Sequence, residues 1–268
     1  MKKLNINSNQ LVDLIRDIAQ QELLPRFNRV SREFKSDGSI VTEADIITQQ
    51  RITSQLMALW PNTELLGEEM SQEQQTEILK SDKPIWCLDP LDGTSNFSAG
   101  IPYFAISLSL IFEAEVVLGL IYDPIRDECF LAQKEGDEYP IATLNNERLT
   151  LGNADISLSK ATAIIDFKRL TDELATRIVV ERPISSQRNF GASALDWCWL
   201  AAGRGHVYLH GSQNLWDYAA GDYIFRAAGG HCCTLENEPV YINQLKKRSI
   251  IAATDAKLFS EWCSWIDH

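Results

Sequence analysis

Residues 86 to 97 read WCLDPLDGTSNF, which sets Asp89 and Asp92 three positions apart around Pro90 and follows them with Gly93 and Thr94. Two aspartates held that close repel each other. A divalent cation removes the repulsion, and hard cations such as Mg²⁺ take carboxylate, carbonyl and water oxygens. Gly93 lets the backbone approach a ligand closely, and Thr94 offers a hydroxyl and an amide at a helix start, where free N–H groups bind phosphate. Taken alone, a DxxDG segment is equally a turn next to a strand-end cap, and both readings stay open on these residues. Further carboxylates stand in LLGEE (65 to 69) and WDYAAGDYIFRAAGG (216 to 230). By themselves, Glu68 and Glu69 read as a solvated pair and Asp217 as a helix-start residue favoured by the dipole.

These side chains need rigid elements to hold them. Leu11, Leu14, Ile15, Ile18, Ala19 and Leu23 recur at three- and four-residue spacing, which predicts an amphipathic helix with one buried stripe. FKSDGSIVTEAD (34 to 45) predicts a turn-rich hinge around Asp37 and Gly38. Its last residues, with Thr42 as N-cap and Asp45 three positions on, start a second helix through Ile46, Ile47, Ile52 and Leu56. IWCLD (85 to 89) suits a buried strand that Pro90 keeps from continuing as a paired central strand. YFAISLSLIF (103 to 112) and VVLGLIY (116 to 122), separated by Glu113, Ala114 and Glu115, predict a hairpin. Helical patterns recur around 170 to 180, 193 to 203 and 217 to 228. No repeat or linker divides the chain, so two halves, 1–145 and 146–268, are expected to share an interface as one compact unit, with a soft boundary near 140 to 150.

Composition narrows the function. The 268 residues are 45% hydrophobic, enough for a sizeable core. A formal net charge of −12 argues against broad attraction to nucleic acid or an anionic membrane. An acidic chain that handles an anionic substrate therefore needs a local device such as bound cations. Cys87, Cys129, Cys198, Cys232, Cys233 and Cys263 show no metal-binding spacing and read as buried small hydrophobes of a reduced compartment. MKKLNINSNQ lacks an apolar run behind its lysines, and no stretch of about 18 apolar residues follows, so a cytoplasmic protein is expected.

Together, Gly67-Glu68-Glu69, DPLDGTSNF (89 to 97), and Trp216-Asp217 with Ala219, Ala220 and Gly221 resemble the inositol monophosphatase family of metal-dependent phosphomonoesterases. The likeness extends through VTEAD (41 to 45), GLIYDP (119 to 124) and GASALD (191 to 196). It implies an α/β fold layered as an αβαβα sandwich of the inositol monophosphatase and fructose-1,6-bisphosphatase type, assembled as a homodimer. It implies Mg²⁺ ligands at Glu68, Asp89, the Leu91 carbonyl, Asp92 and Asp217, with Asp45, Glu68 and Thr94 catalytic and Asp45 free to act also as a capping residue. Gly93, Thr94, Gly191, Ala192, Ser193 and the position of His210 fall where the family binds substrate.

The implied reaction is hydrolysis of a small phosphate monoester by a metal-activated water, with inositol monophosphate or a related sugar or polyol phosphate as substrate. Two departures bear on that substrate. His210 stands where inositol-selective members have a glutamate, and Ala192 where a serine is common, beside Ser193. GSIVTEAD also looks like histidinol-phosphate and nucleotide phosphatases, such as those acting on 3'-phosphoadenosine 5'-phosphate. The haloacid dehalogenase pattern DxDxT has the wrong spacing, and the EF-hand loop needs alternating oxygen ligands before its glycine. A catalytically silent binding or regulatory protein on the same fold is the alternative of another class.

Overall fold

The computed structural model describes residues 6–30, 33, 34, 40–134, 136, 138–152 and 155–267. The hinge expected around Asp37 and Gly38 lies outside the described residues. In chain order the elements are α1 (Ser8–Ile18), β1 (Glu33–Phe34), β2 (Ile40–Val41), α2 (Glu43–Leu59), β3 (Glu64–Gly67), α3 (Gln72–Ile78), β4 (Ile85–Asp92) and α4 (Thr94–Ala99). A meander follows: β5 (Ala105–Phe112), β6 (Glu115–Asp123), β7 (Glu128–Gln133), β8 (Ile141–Leu144) and β9 (Glu147–Arg148). The remainder is β10 (Thr162–Asp166), α5 (Asp172–Glu181), β11 (Ser186–Arg188), α6 (Ser193–Ala201), β12 (Val207–Gln213), α7 (Leu215–Ala227), β13 (His231–Cys233), β14 (Arg248–Ala253) and α8 (Ala256–Asp267).

The strands from β3 to β9 form a seven-stranded sheet in sequence order, parallel only between β3 and β4. A five-stranded sheet has the order β11-β10-β12-β14-β13, with β10 parallel to both β11 and β12. The central strands are covered on both faces, so β4, β5 and β14 are buried along nearly their whole length. In β4, Trp86 and Leu88 join a core with Leu11, Ile15, Ile52 and Leu56 from α1 and α2. Ile85 and Cys87 point the other way, into a core with Trp197, Leu200, Tyr218 and Phe225 from α6 and α7. That second core also takes Ile164, Tyr208, Ile250 and Ala252 from the smaller sheet, whose outer face packs Ile165, Leu209 and Ile251 against Leu258 and Trp262 of α8 and Ile178 of α5. The result is the five-layer αβαβα sandwich, with α6 and α7 in the middle.

The middle layer explains the small residues after Asp217. A Cβ on Gly221 would lie 2.6 Å from the Trp197 side chain, and one on Gly119 of β6 would lie 2.8 Å from the Ala220 carbonyl oxygen. The helix α7 therefore rests against both α6 and the large sheet at contact distances only glycine permits. Two local expectations change. The hairpin turn is two residues, Glu113 and Ala114, both with positive φ (52° and 62°), and Glu115 already begins β6. Such a turn matches strand twist but usually selects Asn or Gly, so its sequence hid it. Four cysteines are buried as expected, whereas Cys232 and Cys263 are only partly so, and the Cys232 thiol donates to Asp222 Oδ1 at 3.1 Å. No described helix is long and apolar enough to cross a membrane.

A methyl group at Gly119 meets backbone that cannot swing aside, so Gly119→Ala is expected to destabilise the fold by about 1–3 kcal/mol. Urea unfolding checks this, and a loss below about 0.5 kcal/mol would mean that α7 shifts freely away from β6.

Candidate metal and phosphate site

The expectation that Pro90 ends the strand does not hold. β4 continues through it to Asp92, because pairing passes from Asp89 opposite Ser107 to Asp92 opposite Ala105. Three steps on β4 match two on β5, which is a bulge of one residue at the proline. The bulge decides the chemistry. In an unbroken strand, residues three apart face opposite sides of the sheet. Here Leu91 is in the core beneath α1 and α2, while Asp92 emerges toward α6 and accepts from the Ala194 amide at 2.7 Å. Both aspartates thus reach the same side, and Asp89 Oδ1 accepts from the Leu91 amide at 2.9 Å.

The third carboxylate comes from the first turn of α7. Asp217 Oδ2 accepts from the Asn214 amide at 2.8 Å, closing a capping box, so the helix-start role expected of it is real. The Ser107 hydroxyl donates to the Trp216 carbonyl at 3.0 Å, pinning that turn over the strand residue opposite Asp89. Oxygens of Asp89, Asp92 and Asp217 consequently lie within 4.8 Å of one another. Asp89 and Asp92 are buried and Asp217 is half-buried.

The electrostatics match such crowding. Burial, then the charges of Glu68, Asp92 and Asp217, hold the Asp89 carboxyl well above the usual carboxylate range. Burial, partly offset by the Ala194 hydrogen bond and reinforced by Glu68, pushes Asp92 up to about 7. Burial with the charges of Asp92 and Glu68 pushes Asp217 up to about 8. Glu68 follows β3, its amide donating to the Leu88 carbonyl at 3.0 Å, and its charge is felt by all three aspartates and by Asp45.

Asp45 approaches from the α2 side. Its Oδ2 accepts from the Thr42 amide and hydroxyl, both at 2.7 Å, and its Oδ1 faces the Thr94 hydroxyl at 2.9 Å. One oxygen caps the helix and the other takes the Thr94 hydroxyl. Burial outweighs these hydrogen bonds and raises the Asp45 carboxyl above its ordinary value. Thr94 Oγ1 also lies 3.0 Å from the Leu91 carbonyl oxygen, so the hydroxyl sits between a backbone oxygen and a buried carboxylate.

Gly93, at φ 90°, ends β4 and caps α4, and a Cβ there would lie 2.9 Å from the Ala192 Cβ. The segment Gly191-Ala192-Ser193 is thereby packed onto the turn. Asn96 fixes it further by donating to the carbonyls of Tyr103 at 2.8 Å and Phe190 at 2.7 Å. Ser193 Oγ is 3.3 Å from Asp92 Oδ1, so its hydroxyl engages a carboxylate of the cluster. The first amides of α4 have no acceptor inside their helix.

His210 is placed differently from these residues. It lies buried on β12 with Nδ1 accepting from the Ser212 amide at 3.1 Å and Nε2 at 3.3 Å from Asp166 Oδ2. Both ring nitrogens are engaged inside the protein. Asp166, on the neighbouring strand, was not singled out in the sequence; its only signal was a carboxylate at the end of an apolar run, TAIID.

The model of the inositol monophosphatase family matches residues 6–264. The chain belongs to this family. The Nus factor SuhB of Pasteurella multocida is 32% identical over 78% of this chain and 76% of its own length. The inositol-1-monophosphatase of Caulobacter vibrioides is 30% identical over 82% of this chain and 84% of its own. Among solved structures, the extragenic suppressor protein suhB of Bartonella henselae superposes with a TM-score of 0.81 at 26% identity, covering 97% of each chain.

Between the unfolded values of Asp92 and Asp217 near 4 and their folded values near 7 and 8, the metal-free fold binds more protons than the unfolded chain. This contribution to stability is therefore present at low pH and lost as pH rises through about 8. In EDTA the unfolding temperature should fall between pH 5.5 and pH 8, and Mg²⁺ should raise it more at pH 8, where fewer protons compete for the oxygens. Equal Mg²⁺ shifts at both pH values would contradict the assignment.

Proposed function

We propose that this member of the inositol monophosphatase family is a Mg²⁺-dependent phosphomonoesterase acting on a small polyol or sugar phosphate such as inositol monophosphate. The observation that carries the reading is the convergence of Asp89, Asp92 and Asp217 oxygens within 4.8 Å beside the Asp45–Thr94 pair. The donor set is all oxygen and mostly anionic, and its members repel one another without a counter-charge, which fits Mg²⁺. Glu68, Asp89, the Leu91 carbonyl, Asp92 and Asp217 would hold the ions. When bound, Mg²⁺ supplies positive charge that screens the phosphate, acidifies water and stabilises the leaving oxygen.

The chain's own residues do the rest. Amides of Gly93 and Thr94 orient the phosphoryl oxygens, and Gly191, Ala192 and Ser193 form the facing wall. Thr94 Oγ1, donating its proton to Asp45 Oδ1, presents its lone pairs to a water proton and so aims the water oxygen at phosphorus. As the new P–O bond forms and the ester P–O bond breaks, the water proton passes through Thr94 Oγ1 to Asp45 Oδ1. Burial has made that acceptor more basic than an ordinary aspartate. The departing oxygen takes its proton from solvent. Glu68 adds a carboxylate whose charge favours both the cations and a proton on Asp45.

Phosphate release from inositol 1-phosphate, histidinol phosphate, fructose 1,6-bisphosphate and 3'-phosphoadenosine 5'-phosphate, with Mg²⁺ and with EDTA, tests the reading. Mg²⁺-dependent turnover of one ester is expected. The name Nus factor SuhB carried by the Pasteurella relative favours a second reading, a binding protein on the same fold. Mg²⁺ binding without release from any ester would be its signature. Asp92→Asn should abolish turnover in a folded protein, and Thr94→Ala should lower kcat by about 10²–10⁴-fold. Wild-type rates from either variant, with unfolding showing both intact, would remove these residues from the site.

A further inference from the structure

His210, where the family resemblance implies a substrate-binding glutamate, has both ring nitrogens engaged inside the protein. Nδ1 accepts the Ser212 amide proton, so the ring proton is on Nε2, which points at Asp166 Oδ2. The imidazole is thus a neutral donor that holds a carboxylate. Asp166 and His210 are directly opposed partners on the parallel strands β10 and β12, so both lie at the same edge of the smaller sheet. β12 leads from that edge through Asn214 into the turn of α7 that carries Asp217. Buried Asp196 feels the charges of both Asp92 and Asp166, and the buried Tyr208 phenol those of Asp92, Asp166 and Asp217, so Asp166 shares these two buried neighbours with the candidate site.

The Asp166 carboxylate is not saturated. Oδ1 accepts the Lys168 amide at 2.9 Å and Oδ2 faces His210, but each oxygen has a second lone pair, and the side chain keeps 22% of its surface exposed. Burial would raise this carboxyl, but the His210 hydrogen bond, the Lys168 amide and the nearby Arg169 charge hold it below its ordinary value. An ionised, positioned acceptor beside a phosphate site selects a substrate that donates hydrogen bonds from its organic part.

We infer that Asp166, held by His210 across the β10–β12 register, supplies the substrate-binding carboxylate that position 210 lacks, and that it recognises a hydroxyl or ammonium donor on the group esterified to phosphate. The inference deepens the proposed phosphomonoesterase reading and rests on its placement of the phosphate. His210 is a positioning residue; Asp166 touches the substrate.

The test compares wild type with Asp166→Ala and Asp166→Asn on inositol 1-phosphate, histidinol phosphate and p-nitrophenyl phosphate, whose leaving group has no donor. For Asp166→Ala, the ratio of kcat/KM for the better natural ester to that for p-nitrophenyl phosphate should fall roughly tenfold or more, chiefly through KM. Asp166→Asn keeps an acceptor but no charge. It should spare a hydroxyl donor relative to Asp166→Ala and impair an ammonium donor as much, which separates inositol 1-phosphate from histidinol phosphate as the source. A parallel calorimetric titration with Ca²⁺ replacing Mg²⁺ measures affinity for each of these two esters relative to inorganic phosphate, and the same relative loss is expected in Asp166→Ala. An unchanged ratio, or equal losses on all esters, overturns the inference, as does a wild type that binds neither ester better than inorganic phosphate. If wild type releases phosphate from no ester, the catalytic reading fails, and the calorimetric ratio alone decides the role of Asp166.

Discussion

Three aspartates and a nearby glutamate brought out of bulk water into one small volume repel each other and lose hydration, and the surrounding structure is organised to sustain that arrangement. Each of the three aspartates has a backbone hydrogen-bond donor, from its own element for Asp89 and Asp217 and from the start of α6 for Asp92. Asp89 takes the Leu91 amide, Asp92 the Ala194 amide and Asp217 the Asn214 amide. These bonds fix the oxygens in place without neutralising them, which leaves charge in a defined direction for a cation to satisfy. A chain with a net charge of −12 would in this way present the proposed site to an anionic ester: bound cations would invert the local field while the protein's bulk charge stays acidic.

The five layers exist around that point. α2 delivers Asp45 from one face of the large sheet, and the middle helices deliver Asp217 and the Ala192–Ser193 turn from the other, so the end of β4 is where the two faces meet. The close seats of Gly119 and Gly221 hold α7 down, and the Ser107 hydrogen bond anchors its first turn. Capping and chemistry share atoms economically. Asp45 gives Oδ2 to the Thr42 cap of its helix and Oδ1 to Thr94, so the capping box itself holds Asp45 in place.

Much of this was legible locally. Leu11, Ile15 and Ile18 do bury one stripe, Thr42 does open α2, and the helical patterns near 170, 193 and 217 become α5, α6 and α7 within a few residues. Pro90 was misjudged because a proline in a central strand is normally a stop; a bulge removes the need for its missing N–H and lets pairing resume. The Glu113–Ala114 turn was read too long because neither residue advertises a positive φ. Asp166 went unnoticed because its partner, His210, is 44 residues away and only the parallel pairing of β10 and β12 places them side by side.

The sequence by itself determined the donor chemistry, hard oxygen ligands with a hydroxyl and small residues beside them, and the periodicities from which helices and strands follow, because both depend on near neighbours along the chain. Only the tertiary structure decided which face each donor reaches. The bulge turns Asp92 to the side of Asp89, the α7 cap swings Asp217 onto the same cluster, and the strand register gives His210 a carboxylate to hold instead of a ligand. Those outcomes are set by how whole layers pack and which strands pair, and burial and register are properties of elements brought together from distant parts of the chain.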